Sequence, residues 1–345
     1  MERPTGIDVA RLARVAQSTV SLVFSGKSEG RVSPQLEHRI RKAATTLGYQ
    51  PLPSGRALSS GRSHSIGLVV TDFENAFFGS FSRGAQKIAN ELGYSVVLME
   101  AGDSPTDFPA YKALTAGYVD GLLVFAIAPP DVPPRDRHLI TLVESVFDGY
   151  SSVILDSLGG LREAVRHLAS LGHRRIAYLG IDNGRWTFVR RRQAFVDAMR
   201  AQDLDVDDFL VRDSRFDFDS LVAASGQWLR GEQRPSAIVC ADDLVAAAVY
   251  RAAAVAEISV PSALSVISFG GTILSRVLTP QLTSLTVSAT LLGEAAMRLQ
   301  LSSSAADWRP ERLALPIALR IGESTTSAPP DPLQILLARG RPTHT

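Results

Sequence analysis

A chain of 345 residues suits a small domain joined to a large two-lobed body, with ample material for buried cores. Its single cysteine, Cys240, excludes an intramolecular disulfide framework and offers no metal cluster, which fits a reducing compartment. The formal net charge is only +1, yet residues 1–62 hold ten Lys and Arg against four Asp and Glu, an excess of +6 that leaves −5 for the remainder; such asymmetry is what attraction to phosphate needs.

Thr5 and Asp8 have the spacing of a capping box and start a first helix whose apolar set is Ile7, Val9, Ala10, Leu12 and Ala13. After a tight polar break, Val20, Val23 and Phe24 form the inner face of a second short helix, and Gln17, Ser18, Thr19, Ser21 and Leu22 can point away from it. A third helix has Ser33 as N-cap, Pro34 at its first position, Leu36, Ile40, Ala43 and Leu47 on one face, and Gly48 as the stop. Three short helices around one apolar centre predict a helix-turn-helix headpiece over residues 1–50. In that motif the second helix enters the major groove of double-stranded DNA with its N-terminal residues on base edges, so Gln17, Ser18 and Leu22 are the base readers. The alternative for this stretch is an ordinary helical hairpin with a solvated basic face.

Residues 51–64 are rich in Pro, Ser, Gly and Arg and mark a hinge. Strands follow over 66–70, 95–99, 121–125, 139–143 and 153–155, with a helix over 78–92 between the first two. A second unit begins near Asp156, with helices over 158–171, 188–201, 219–229 and 243–256 and strands over 176–179, 237–240 and 265–269. The chain then crosses back through an extended segment over 283–287 to a helix over 291–301 that packs on the first lobe. Short apolar strands alternating with helices predict an α/β body with doubly wound parallel sheets. The lobes are 65–156 with 286–308 and 157–285 with 309–322, and 323–345 is a Pro-rich tail whose apolar island, 333–337, is too short for a coiled coil. Ligands of open α/β sheets sit outside the carboxyl ends of the strands, which places a binding cleft between the lobes.

No catalytic constellation stands out. The sequence has no G-x-G-x-x-G after the first strand, no phosphate-binding loop and no G-x-S-x-G elbow. His167 and His173 lie six apart across a helix end and read as surface or helix-terminal residues, so no metal, no cofactor and no enzymatic activity is expected. No apolar run approaches the 18 or so residues of a membrane span, and no apolar leader precedes the first helix, so a cytoplasmic protein without membrane association is expected.

Asp8-Val9-Ala10, Ala13, Val15, Thr19-Val20-Ser21, Val23, Val32-Ser33, Leu47-Gly48-Tyr49 and Pro51, followed by a hinge and a Rossmann-like body, resemble the LacI family of transcription regulators over about residues 5–322. The resemblance implies a periplasmic-binding-protein-like body, a homodimer on a pseudo-palindromic operator, and a small-molecule effector, a sugar or related metabolite, in the cleft. It implies DNA contacts from Thr5, Gln17, Ser18, Thr19, Ser21, Leu22, Arg31 and Arg56, and a hinge helix whose Leu58 wedges into the minor groove. Pro53 and Gly55 depart from the better helix formers of the family. For the effector it implies Phe77, Phe78, Glu144, Arg191, Phe216, Asp242 and Asp243, with Asp243 equally able to cap the helix it begins.

Other departures bear on both sites. Ser268-Phe269-Gly270-Gly271 lacks the carboxylates that relatives commonly use to grip sugar hydroxyls, which points to a ligand less hydroxyl-rich than a typical sugar or bound weakly. Arg14 replaces the turn glycine, and Ala16 replaces the serine that would cap the second helix. A ligand-responsive DNA-binding regulator, most simply a repressor, is therefore expected. A solute-binding protein would carry a signal peptide rather than a basic headpiece, and an α/β enzyme with a helical appendage would need a nucleophile, metal or nucleotide motif in the cleft.

Overall fold

The computed structural model describes residues 4–26, 28–49, 62–71, 75–101, 109–126, 134–231, 233–303 and 308–329. Arg56 and Leu58, with most of the hinge, and the apolar island 333–337 of the tail lie outside the described residues.

The headpiece comprises α1 (Gly6–Ala13), α2 (Gln17–Phe24) and α3 (Pro34–Leu47). Thr5 and Asp8 form the reciprocal capping box at α1, and Ser33 accepts from Leu36 N–H ahead of Pro34 at α3. The helices close on Val9, Ala10, Ala13, Val20, Val23, Ile40, Ala43 and Ala44. Ile7 and Leu12, expected among the apolar set of α1, are instead about half exposed, because the narrow face that meets α2 and α3 takes only Val9, Ala10 and Ala13. Phe24 meets Tyr49 edge to face at 5.6 Å, which ties the end of α2 to the end of α3.

Two six-stranded sheets follow. The first has the order β11-β5-β4-β3-β1-β2, with β1 Ser65–Val70, β2 Ser95–Glu100, β3 Gly121–Phe125, β4 Ile140–Val143, β5 Ser151–Leu155 and β11 Arg312–Leu315, all parallel. The second has the order β12-β10-β9-β8-β6-β7, with β6 Ile176–Ile181, β7 Val211–Ser214, β8 Ala237–Cys240, β9 Ser265–Gly270, β10 Thr283–Thr286 and β12 Ala318–Arg320; only β12 runs antiparallel. The central strands β3, β6 and β8 are buried along their whole length and β1 is buried past Ser65, as both-face coverage by helices demands. The helix Ala289–Ser302 returns to pack against the helix Ala76–Glu91 of the first lobe. A Cβ at Gly293 would lie 2.1 Å from Phe81 O and one at Gly84 2.0 Å from Thr290 O, so both glycines permit the close crossing.

Two features differ from the sequence reading. The segment 309–322, assigned above to the second lobe, is divided: β11 pairs with β5 in the first sheet and β12 with β10 in the second. The start of the tail is also structural. Ser324 is fully buried and donates to Val266 O while accepting from Thr283 N–H, and Ala328 N–H donates to Leu171 O, so residues 323–328 belong to the second lobe.

His173 anchors this segment rather than lying on the surface. It is fully buried, its Nε2 is 3.0 Å from Thr326 O and its Nδ1 is 2.8 Å from Ser236 Oγ. A carbonyl can only accept, so Nε2 carries a proton. Burial holds the ring below the usual histidine value, with Thr326 opposing and His167 assisting, and burial also lowers His167. The unfolded chain therefore binds more protons than the folded one as pH falls through and below 6.5, and stability is lost in that direction. Urea midpoints are expected to drop between pH 7.5 and 5.5 by more in the parent than in His173→Asn, and equal pH slopes would remove this explanation.

Candidate functional site

Gln17, Ser18 and Ser21 are exposed on α2, and Thr19 and Leu22 are half-buried beside them. Val20 and Val23 point into the headpiece core, so the helix periodicity separates anchoring from presenting residues. Ala16 stands as an N-cap with no side-chain hydrogen bond, which leaves first-turn N–H groups of α2 open to an acceptor such as a phosphate oxygen. Arg14 adopts the left-handed conformation expected of the turn residue, at φ 52°. Thr5 is exposed with its hydroxyl engaged by Asp8, and Arg31 is exposed in the turn before α3.

The second candidate site is a cleft between the carboxyl ends of the two sheets. Phe77 and Phe78 line it from the start of the helix Ala76–Glu91, whose N-cap is Asn75, and Phe125 joins them from the end of β3. Phe78 and Phe125 pack edge to face at 4.8 Å, and Phe77 meets Phe125 at 5.6 Å. The opposite wall carries Phe188 and Arg191 from the helix Trp186–Arg200, Phe216, Asp242 and Phe269. Phe188 and Arg191 share one helix face at a spacing of three. Of the residues expected here, Phe77, Phe78, Arg191, Phe216 and Asp242 line one cavity.

Glu144 does not line it. It is 1% exposed at φ 53°, where its carboxylate accepts from Thr187 Oγ1 at 2.8 Å and from Leu155 N–H at 2.6 Å. Arg191 Nη2 lies 3.4 Å from the same carboxylate, Nη1 donates to Ala241 O at 2.9 Å, and the guanidinium carbon sits 3.7 Å from the Phe269 ring centroid. The expected ligand carboxylate thus forms part of an internal ion pair, and the buried Nε of Arg191 has no hydrogen-bond partner among the described residues.

The Asp pair divides as well. Asp242 is the N-cap of the helix Asp243–Val255, accepting from Leu244 N–H at 2.8 Å, and it reaches the cleft; burial pushes its carboxyl up to about 6. Asp243 is 1% exposed and outside the cleft lining, with both carboxylate oxygens taken by Ser268 Oγ and by the N–H and hydroxyl of Thr272. Its place as a ligand residue is therefore corrected: it braces the turn at Gly270 and Gly271. Those glycines have φ 149° and 73°, and a Cβ at Gly271 would meet Thr286 Cγ2 at 2.8 Å, so this turn is shaped by backbone where a carboxylate was missing.

Sequence reasoning missed Phe125, Phe188, Thr71 and Arg185. Arg185 Nη1 donates to Thr71 Oγ1 at 2.7 Å across the cleft. The position of Phe125 at the carboxyl end of a central strand was the available signal. Among the described residues no group of His, Cys, Asp and Glu is arranged to hold a metal ion, and no helix is long and apolar enough to cross a membrane.

Comparison with known proteins agrees with this architecture. Residues 7–52 match the model of bacterial regulatory proteins of the lacI family, and residues 165–325 match a periplasmic binding protein-like domain. The chain is 30% identical over 302 residues to the HTH-type transcriptional regulator DegA of Bacillus subtilis (strain 168), covering 82% of this chain and 86% of that one. It is 31% identical over 298 residues to the ribose operon repressor of Escherichia coli (strain K12), covering 84% and 90%. The structure of the Lac repressor dimer bound to operator and the anti-inducer ONPF superimposes with a TM-score of 0.81 at 23% identity, covering 94% of this chain and 100% of that one. With both halves of the architecture and near full-length relatives in agreement, the chain belongs to the LacI family of bacterial regulatory proteins.

Proposed function

We propose that the protein is a cytoplasmic transcriptional repressor that binds a pseudo-palindromic operator as a homodimer and takes a small metabolite, of the sugar size class, in the interlobe cleft. The observation that carries the reading is the headpiece: a +6 N-terminal region in which α2 exposes Gln17, Ser18 and Ser21 away from a closed apolar core. A charge excess at one end supplies phosphate affinity, and the exposed polar residues of α2 supply base discrimination. Base reading falls to Gln17, Ser18 and Leu22, backbone contacts to Thr5, Thr19, Ser21, Arg31 and Arg56, and the minor-groove wedge to Leu58. The domain division proposed is 1–50 headpiece, 51–64 hinge and the two lobes thereafter, amended at β11 and at 323–328 as described.

Selection of bound fragments from genomic DNA is expected to return a site with a dyad, because two symmetry-related headpieces read two half-sites. Gln17→Ala or Ser18→Ala should change the preferred base within each half-site. Sites without a dyad, together with unchanged preference in both variants, would refute the assignment.

Dimerisation is supported by the outer edge of the first sheet. Among the described residues β2 has no partner on its far side, and Val97 and Leu98 on it are 39% and 51% exposed; Ile273 and Val277 are similarly exposed on the second lobe. An unprotected apolar edge strand invites pairing with another chain. Leu98→Glu combined with Val277→Glu should give a monomer by sedimentation and weaken operator binding, and an unchanged dimer would move the interface elsewhere.

A further inference from the structure

We propose that the cleft is built for a neutral, single-ring aromatic metabolite bearing one donor–acceptor head group, such as a carboxamide or a phenolic hydroxyl, and not for a hydroxyl-rich sugar. The inference rests on reading the cleft as the effector site and narrows its chemistry.

Hydrogen-bonding groups of the cleft are partly committed to the protein itself, which disfavours a ligand hydroxylated around its whole rim. The cleft has polar residues, and part of their capacity is already spent inside the protein. Thr187 donates to Glu144, Thr272 donates to Asp243, and Thr71 accepts from Arg185. Asn75 uses its carbonyl on Phe77 N–H, and Arg191 uses one N–H of each terminal nitrogen, on Glu144 and on Ala241. The turn at Gly270–Gly271 adds no side chain. On the second-lobe wall the buried Arg191 Nε has no partner among the described residues, and one Asp242 oxygen is not bound to Leu244. A sugar ring carries hydroxyls around its whole rim, and each one buried without a partner loses affinity. One head group that both accepts and donates is what a guanidinium N–H beside a carboxyl can satisfy.

The walls supply the rest. Six phenylalanines line the cavity, with Phe77, Phe78 and Phe125 on the first lobe facing Phe188, Phe216 and Phe269 on the second. Aromatic walls on both sides favour a flat ring, held by edge and face contacts. The cavity measures about 60 Å³. So small a volume favours a compact ligand.

Charge selects the neutral form. The Arg191 guanidinium is paired with the buried Glu144, and Asp242 stands beside it. A ligand carboxylate beside Asp242 would add a like charge next to a guanidinium that is already paired, the half-buried Arg185 on the lining being bonded to Thr71, and like charges so placed disfavour ionisation.

The test is calorimetric titration of the full-length protein with benzamide, phenol, benzoate, D-ribose and D-glucose, alongside titration of its selected DNA in the presence of each. Benzamide or phenol is expected to bind, benzoate about tenfold more weakly than benzamide or worse, and neither sugar detectably. Phe216→Ala should weaken benzamide binding by about tenfold, whereas Phe209→Ala, an exposed phenylalanine outside the cleft lining, should leave it unchanged. Tighter binding of ribose or glucose than of either neutral aromatic overturns the proposal, as does a failure of both neutral aromatics to bind. The DNA titration separates the two levels: DNA binding that responds to a sugar removes only the ligand class, whereas aromatic binding without any effect on DNA affinity upholds the cleft chemistry and removes its role as effector site.

Discussion

Arg191→Ala is expected to abolish the response of DNA binding to effector and also to destabilise the body by about 3–5 kcal/mol, the usual cost of breaking a buried ion pair from one side. Glu144 is 1% exposed, and without the guanidinium its carboxylate keeps only Thr187 and Leu155 N–H. The Ala241 carbonyl and the Phe269 ring lose their partner in the same step. A residue that merely touched ligand would lose the response and leave the urea midpoint in place. Adding Glu144→Gln to Arg191→Ala should recover part of the stability, because the stranded charge is gone, while the response stays lost. Urea denaturation and DNA titration with effector, run on both single variants and the double variant, form the cycle that measures this coupling. A parent-like midpoint with a full response in Arg191→Ala would show that this pair organises neither the fold nor the site.

Operator affinity should fall by about 10³–10⁵ between roughly 50 and 200 mM salt if the two headpieces together neutralise six to ten phosphates. The charge that drives this lies before residue 63, and the rest of the chain is net negative, so a body lacking residues 1–62 should show no salt-dependent DNA binding. Within the headpiece the residues divide by what they touch. Thr19→Ala and Ser21→Ala should weaken all sequences alike, since a phosphate contact carries no base information, whereas Gln17 and Ser18 variants should shift preference. A slope of log affinity against log salt near zero would count against the basic footprint.

Local signals in the sequence were enough to place the headpiece and most of the alternating elements of the body. The capping box at Thr5 and Asp8, Ser33-Pro34 at the start of α3 and Gly48 at its end act within a few residues, and each forms as its pattern indicated. Apolar strand runs such as β8, Ala237–Cys240, likewise declare burial on both faces. The short β7, β11 and β12 were not legible, because 3–4 residues with one partly open face carry too little periodicity.

In the cleft, the family resemblance named Phe77, Phe78, Arg191, Phe216 and Asp242, which line one cavity, and tertiary structure alone decided which partners those side chains have. Glu144 and Arg191 lie 47 residues apart, Asp243 and Thr272 lie 29 apart, and His173 meets Thr326 at a separation of 153. A polar side chain's partners are set by whatever the fold brings within about 3 Å once water is excluded, and a buried charge or hydroxyl takes the partner that satisfies it. The family resemblance therefore named an arginine and acids for the cleft, and only the folded arrangement showed that Arg191 pairs with Glu144 and Ala241 while Asp243 is held by Ser268 and Thr272.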